Sequence, residues 1–73
     1  MIEAGSIWRA KETEGDSPKD YIRIVEDLGY NAFSVAFLKD DGDRHTLFKK
    51  GIMNVYVEVD KKESLKKILK GLL

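Results

Sequence analysis

The clearest strand in this sequence is Ala32-Phe33-Ser34-Val35-Ala36-Phe37-Leu38-Lys39. Alternation along a strand places Phe33, Val35 and Phe37 on one face and Ser34, Ala36 and Leu38 on the other. The phenylalanines suit a hydrophobic core. The small Ser34 and Ala36 leave room for a second element on the opposite face. We therefore expect a sheet that is covered on both faces, with this strand near its centre.

Turn residues bound this strand on both sides. Before it, Gly29 and Asn31 tolerate positive φ, so residues 28–31 predict a turn. After it, the stretch 40–43 (Asp-Asp-Gly-Asp) predicts a tight hairpin, because Asp-Gly supplies the left-handed conformations that such turns need. Residues 44–48 would then return as an antiparallel strand. These two turns therefore give the central strand an antiparallel neighbour on each side.

Three further strands are predicted outside this hairpin region. Residues 7–11 alternate and form the first, and residues 21–25 form the second, where Val25 breaks the alternation and indicates a bulge or a bend. Residues 55–59 alternate with three valines on one face. A long polar loop, 12–20, separates the first two strands because Pro18 cannot donate a ladder hydrogen bond. Residues 49–54 predict a single helical turn or a kink.

The C-terminal segment, 60–73, predicts an amphipathic helix. Asp60 is followed three residues later by Glu63, which is a capping-box spacing. The apolar residues recur at helical spacing: Leu65, Ile68, Leu69 and Leu72. Lysines occupy the remaining positions. We expect this helix to cap the sheet, either of its own chain or of a second copy.

The chain is expected to form one domain over residues 1–73, with a barrel at 5–59 and a helix at 60–73. The spacing of its strands and turns resembles the SH3-like small β-barrel. The segments Gly5-Ser6-Ile7-Trp8 and Tyr21-Ile22-Arg23-Ile24 are similar to the opening of small SH3-like proteins of bacteria and phages. The resemblance implies a mainly β protein, a five-stranded antiparallel SH3-like barrel capped by a helix. Peptide-binding SH3 domains match poorly, because their aromatic run, tryptophan pair and proline-tyrosine motif are missing.

Composition narrows the range of chemistry. There is no cysteine and one histidine, which excludes disulfides, thiolate zinc sites and histidine-rich metal cages and leaves an all-carboxylate calcium or magnesium site open. Net charge is zero, but residues 60–73 carry +3 and residues 1–59 carry −3. No apolar run approaches the roughly 20 residues that span a bilayer, and the first residues have no signal-peptide pattern. We expect a cytoplasmic protein that does not act at a membrane.

No catalytic, metal or cofactor site is predicted. His45 has no cysteine to activate, and the neighbouring Thr46 would point to the other face of a strand. Asp40, Asp41 and Asp43 lack the downstream glutamate and flanking helices of a calcium loop. Single, scattered glycines cannot form a phosphate cradle. We therefore expect a protein that is not an enzyme.

Protein binding is the function that these residues favour. Phe33, Phe37 and Phe48 are expected in the core, whereas the three tyrosines are expected to be partly exposed and available to a partner. The predicted contact residues are the tyrosines and the acids of the long loop: Tyr21, Tyr30, Tyr56, Glu12, Glu14 and Asp16. The predicted patch joins the 12–20 loop to the 29–31 turn, with Tyr21 and Tyr30 as its anchors. Such a module suits an accessory or regulatory protein of a bacterium or phage.

Nucleic-acid binding is the alternative. It requires four basic residues to converge on one face beside an exposed aromatic: Arg9, Arg44, Lys49 and Lys50. The net acidic body counts against it, since phosphate contacts dominate such affinity. Self-association through the helix or an edge strand, giving a homodimer, is a further possibility because open sheets expose strand edges.

Overall fold

Five strands and one helix make up the computed structural model, which describes residues 2–59. In chain order the strands are β1 (Ile7–Ala10), β2 (Tyr21–Gly29), β3 (Ala32–Phe37), β4 (Asp40–Phe48) and β5 (Tyr56–Val59). A 3-10 turn at Pro18–Asp20 precedes β2, and helix α1 (Lys49–Val55) links β4 to β5. The helix predicted at 60–73 lies outside the described residues.

The strands form one antiparallel sheet in the order β4-β3-β2-β1-β5. The prediction of a mainly β fold with five antiparallel strands is confirmed. The sheet is open, because β4 and β5 are its two edges and do not pair with each other within residues 2–59. The confirmed fold is therefore a five-stranded sheet with a helix, without closure into a barrel.

One face of the sheet carries the main hydrophobic core. Residues that lie opposite each other on adjacent strands share a face, as Trp8 does with Ile22 and Ile24 with Val35. These four side chains are buried together with three others: Ile2, Phe33 and Ile52. Ile52 comes from α1, which therefore covers this face. Phe37 packs against the same cluster, so the predicted alternation of Phe33, Val35 and Phe37 is confirmed.

The opposite face has a smaller apolar cluster near β1. Ile7 and Tyr21 are buried there, and Leu38 and Val59 pack against them. Ala36 is also fully buried. The sheet is thus apolar on both faces, as expected from the small residues of β3.

The Asp-Gly hairpin predicted at 40–43 is wrong. The chain reverses at residues 38–39, and Asp40 already pairs with Phe37. The next pair joins Ala36 to Arg44, so residues 41–43 form a bulge in β4. The Gly42 N–H donates to the Asp40 carboxylate at 3.2 Å, and Gly42 has no positive φ. The local hydrogen-bonding tendency of Asp-Gly is therefore satisfied within the strand.

Two further expectations near α1 are also wrong. Phe48 was expected in the core but is 62% exposed, because its pairing with Ala32 places it on the face away from Ile52 and the main core. Val55 ends α1 instead of starting β5, so the three valines do not share one strand face. Of the two conformations expected for residues 49–54, a helical turn or a kink, the structure has a helix, and α1 is longer than one turn. The predicted bulge at Val25 is confirmed, since the register shifts between Ile24 and Glu26.

Candidate interaction surfaces

The tip of the β2–β3 hairpin presents a fully exposed tyrosine. Tyr30 and Asn31 form the two-residue connection, and both have positive φ, at 52° and 62°. Two successive left-handed residues match the twist of a tight hairpin, and asparagine or glycine normally occupies them. Tyr30 is exposed over its whole side chain. A large aromatic ring therefore stands at the tip without contributing to the core.

This conformation is unfavourable for tyrosine. A left-handed backbone costs a residue with a Cβ about 1–2 kcal/mol, and asparagine offsets part of that cost through local hydrogen bonds. Because Tyr30 buries no surface, nothing in its own packing compensates. A strained residue that makes no folding contribution is a reason to look for function at that position.

The hairpin tip is held in place by its neighbours. The Lys49 N–H donates to the Asn31 carbonyl at 2.7 Å, which joins the tip to the start of α1. The Gly29 N–H donates to the Asp27 carboxylate at 2.9 Å. Leu28, in the second bulge of β2, is also about half exposed. These hydrogen bonds fix the backbone on both sides of Tyr30, and the exposed Leu28 side chain lies two residues before it.

The long loop forms a separate surface. Glu12, Glu14 and Asp16 are exposed on it, as predicted. Two side chains of the sheet hold the loop by hydrogen bonds to its backbone. The Tyr21 hydroxyl donates to the Gly15 carbonyl at 2.6 Å, and the Arg9 guanidinium donates to the Thr13 carbonyl. The 3-10 turn is capped by the Ser17 side chain, with Pro18 in its first position. The carboxylates therefore stand on a folded loop.

The predicted patch that joins this loop to the 29–31 turn is wrong. The loop leads into Tyr21, the first residue of β2, whereas Tyr30 follows the last residue of that strand. A strand of nine residues separates its two ends by roughly 25–30 Å. Tyr21 is also 1% exposed, so its side chain supports the loop and cannot contact a partner. Loop and hairpin tip are two surfaces at opposite ends of the sheet.

Tyr56 is partly buried. It pairs with Ala10 at the start of β5, and its ring packs against the main core. Burial raises the pKa of the Tyr56 hydroxyl, because the phenolate is less well solvated there. Tyr56 therefore has mainly a packing role and remains partly exposed.

The four basic residues proposed for nucleic acid do not converge. Arg9 lies on β1 and its guanidinium supports the loop. Arg44 lies on β4 and, by the strand register, on the same face of the sheet as Arg9, but β2 and β3 separate the two strands by about 14 Å. Lys49 and Lys50 begin α1 and are exposed. These two lysines alone lie beside an exposed aromatic tip.

His45 contacts two neighbouring side chains of the sheet. Its Nε2 lies 3.3 Å from the Asp43 carboxylate, and its ring meets the Phe37 ring edge-on at a centroid distance of 5.3 Å. Among residues 2–59, no three histidine, aspartate or glutamate side chains are grouped to hold a metal ion. No helix in that part of the chain is long and apolar enough to span a membrane.

Comparison with known proteins found no family, curated protein or solved structure that matches this sequence.

Proposed function

We propose that this protein is a small non-catalytic protein-interaction module that binds its partner through the tip of the β2–β3 hairpin. The observation that carries the proposal is Tyr30, an exposed aromatic held in a left-handed conformation that costs folding free energy. Tyrosine is among the residues that most often dominate binding energy when a partner covers them. Leu28 would add apolar contact at the same end.

The support beneath the hairpin tip favours binding as well. Side chains on a rigid scaffold lose little conformational entropy when a partner orders them. The hydrogen bond from Lys49 to Asn31 and that from Gly29 to Asp27 provide such rigidity. The acidic loop at the far end would be a second surface, available for steering or for another partner.

The proposal includes an SH3-like origin and a place in the cytoplasm of a bacterium or phage-infected cell, as an accessory or regulatory factor. Five antiparallel strands, an ordered loop after β1 and a helical link before β5 support the SH3-like likeness. The absence of cysteine from the sequence is compatible with the compartment.

Recovery of a partner from a lysate of the source cell tests the hairpin tip. Tyr30→Asn should lower recovery at least about tenfold, because a covered aromatic at the centre of an interface is worth about 2 kcal/mol or more. Tyr30→Phe should retain most binding because it keeps the ring. Asp16→Ala, an exposed change at the other end, is the matched control.

Thermal melting separates loss of binding from loss of fold. Tyr30→Asn should melt at the same temperature or higher, since asparagine suits the left-handed turn better than tyrosine. Undiminished recovery with Tyr30→Asn would disprove the role of the hairpin tip. Recovery that falls equally with Asp16→Ala would assign binding to the loop instead.

Single-stranded nucleic acid is the second candidate, favoured by Lys49 and Lys50 standing beside the tyrosine tip. Bases could stack on Tyr30 while the lysines contact phosphates. Glu26 and Asp27 on the same hairpin oppose it electrostatically. A gel-shift assay at low salt decides: binding that disappears with Lys49→Glu and with rising salt would favour this candidate over a protein partner.

A further inference from the structure

One row of paired residues crosses the middle of the sheet face that lies opposite Ile52. From β5 to β4 the row contains Val59, Ile7, Arg23, Ala36 and Arg44. Ala36 is completely buried, and Ile7 is 4% exposed. Val59 packs against the small apolar cluster that contains Ile7. We call this side of the sheet the second face.

Helix α1 and the long loop take other positions on the sheet. Among residues 2–59, α1 covers the other face, and the loop contacts the neighbouring row of the second face at Arg9 and Tyr21. An apolar sheet surface is stable when another layer packs on it. The burial of Ile7 and Ala36 therefore indicates a further covering element.

The exposure of the neighbouring side chains locates this cover over β1, β2 and β3. Ser34 and Ala36 are small and share the second face, and neither is exposed, so an element can approach the backbone of β3 closely. On β4, three side chains of the same face are exposed: Arg44, Thr46 and Phe48. The cover therefore does not extend across β4.

The path of the chain favours its own C-terminal segment as the occupant. Residue 60 follows directly after Val59, at the β5 end of the row. As a helix, residues 60–73 would be about 20 Å long. Three strand spacings, about 14 Å, separate Val59 from Ala36. The segment is therefore long enough to reach β3 without a linker.

The side chains of this segment suit the second face. Its apolar residues recur at helical spacing and form one stripe: Leu65, Ile68, Leu69 and Leu72. Glu63 follows Val59 by four residues, which would bring its carboxylate towards the basic Arg23, two strand spacings from Val59. The lysines occupy the positions outside the stripe, where a docked helix faces water.

We propose that residues 60–73 fold back as a helix on the second face of their own chain, with the apolar stripe over Ile7, Ser34 and Ala36. A helix of this length is marginal alone in water, so docking supplies its stability. The second face is then closed to other proteins. The contact does not include Tyr30, so it stands independently of the function proposed above.

Nuclear Overhauser contacts between methyl groups test this placement in the full chain. Cross-peaks are expected between the methyls of Leu69 and those of Ile7 and Ala36. A mixture of isotope-labelled and unlabelled chains separates contacts within one chain from contacts between two copies. Cross-peaks from Leu69 to Ile52 on the other face would overturn the proposal. So would cross-peaks that arise only between copies, or the absence of any cross-peak to the sheet.

Thermal melting provides a second measurement. Leu69→Asp should lower the melting midpoint by about 10 °C or more, because it places an unpaired charge against an apolar surface. Lys67→Gln is the matched control, since it makes the same one-unit change in net charge on the opposite side of the helix and should leave the midpoint nearly unchanged. Equal midpoints for the two variants would contradict the proposal. A wild-type midpoint that rises with protein concentration would assign the cover to a second copy and would overturn it as well.

Discussion

At the scale of single residues, Gly15 is the position where the backbone depends most on the absence of a side chain. Its φ is +75°, and a Cβ there would lie 2.5 Å from the Tyr21 hydroxyl oxygen and from Arg9 Cδ. Both neighbours hold the long loop through hydrogen bonds. The loop's order therefore rests on close packing of backbone against two side chains from β1 and β2.

Gly15→Ala should lower the free energy of unfolding by about 2–4 kcal/mol, from the strained φ and the displaced neighbours together. Gly5→Ala is the matched control, because Gly5 has a φ of +91° with open space around it and loses only the backbone term, about 1 kcal/mol. Urea denaturation measures both. Equal losses for the two variants would show that the contact with Tyr21 and Arg9 carries no free energy.

Tyr56 links stability to alkaline pH. Burial raises the pKa of its hydroxyl in the folded state above that in the unfolded chain. The folded protein thus binds this proton more tightly, so the stabilisation is complete below pH about 10 and is lost as pH rises through the folded-state pKa. Tyr56→Phe should flatten this fall in the free energy of unfolding. An unchanged slope in chemical denaturation above pH about 10 would contradict it.

At the scale of elements, one buried side chain holds α1 against the sheet. Its seven residues are too few for a helix that is stable alone, and Phe48 at its N-cap makes no side-chain cap bond. Ile52 is completely buried in the main core. At the start of the helix, the Lys49 N–H donates to the Asn31 carbonyl. At its end, the Lys11 N–H donates to the Val55 carbonyl, and the Lys11 Nζ donates to the Met53 carbonyl. Burial of Ile52 is therefore the main force that docks the link.

Ile52→Ala should cost about 2–5 kcal/mol of unfolding free energy, since it removes a fully buried side chain and leaves a cavity. Met53→Ala, the next residue and half exposed, should cost much less. Thermal melts of the two variants provide the comparison. Similar midpoints for both would mean that α1 is not held by Ile52.

In β4, pairing with β3 overrides the local preference of Asp-Gly for a turn. Asp-Gly in β4 predicts a hairpin, yet pairing of Val35 with His45 and Phe33 with Leu47 requires the strand to continue past it. The core side chains of β3 are buried only in this register, and a slip by one residue would expose them. The gain from burial exceeds the local turn preference, so Asp-Gly becomes a bulge.

At the scale of the whole molecule, the sheet separates two chemically different ends. The acidic loop and the 38–39 turn lie where β2 begins, and Tyr30 with Lys49 and Lys50 lies where it ends. The sheet between these two ends has apolar side chains buried on both of its faces.

The sequence by itself indicated the five strands, the turn at 28–31 and the irregularity at Val25, because these depend on alternation and on residues with special backbone preferences. It misplaced the turn between β3 and β4 and left the link at 49–54 open between a helical turn and a kink. The exposure of single aromatics was decided only by the tertiary structure. Tyr21 and Phe48 have similar apolar character, but the first lies under the loop and the second lies at an edge. Burial depends on which strands are neighbours, and that pairing is a non-local property.

The same reason explains the fate of the candidate site. Tyr30 could be placed in a turn from Gly29 and Asn31, since a two-residue hairpin is local. The distance from that turn to the 12–20 loop could not, because the length and direction of β2 emerge only from its pairing with β1 and β3. The separation of Arg9 and Arg44 could not be predicted for the same reason, because strand order places two strands between them on their shared face. The chemistry of each residue can be read from the sequence, but the distance between residues on different strands depends on the order and register of those strands.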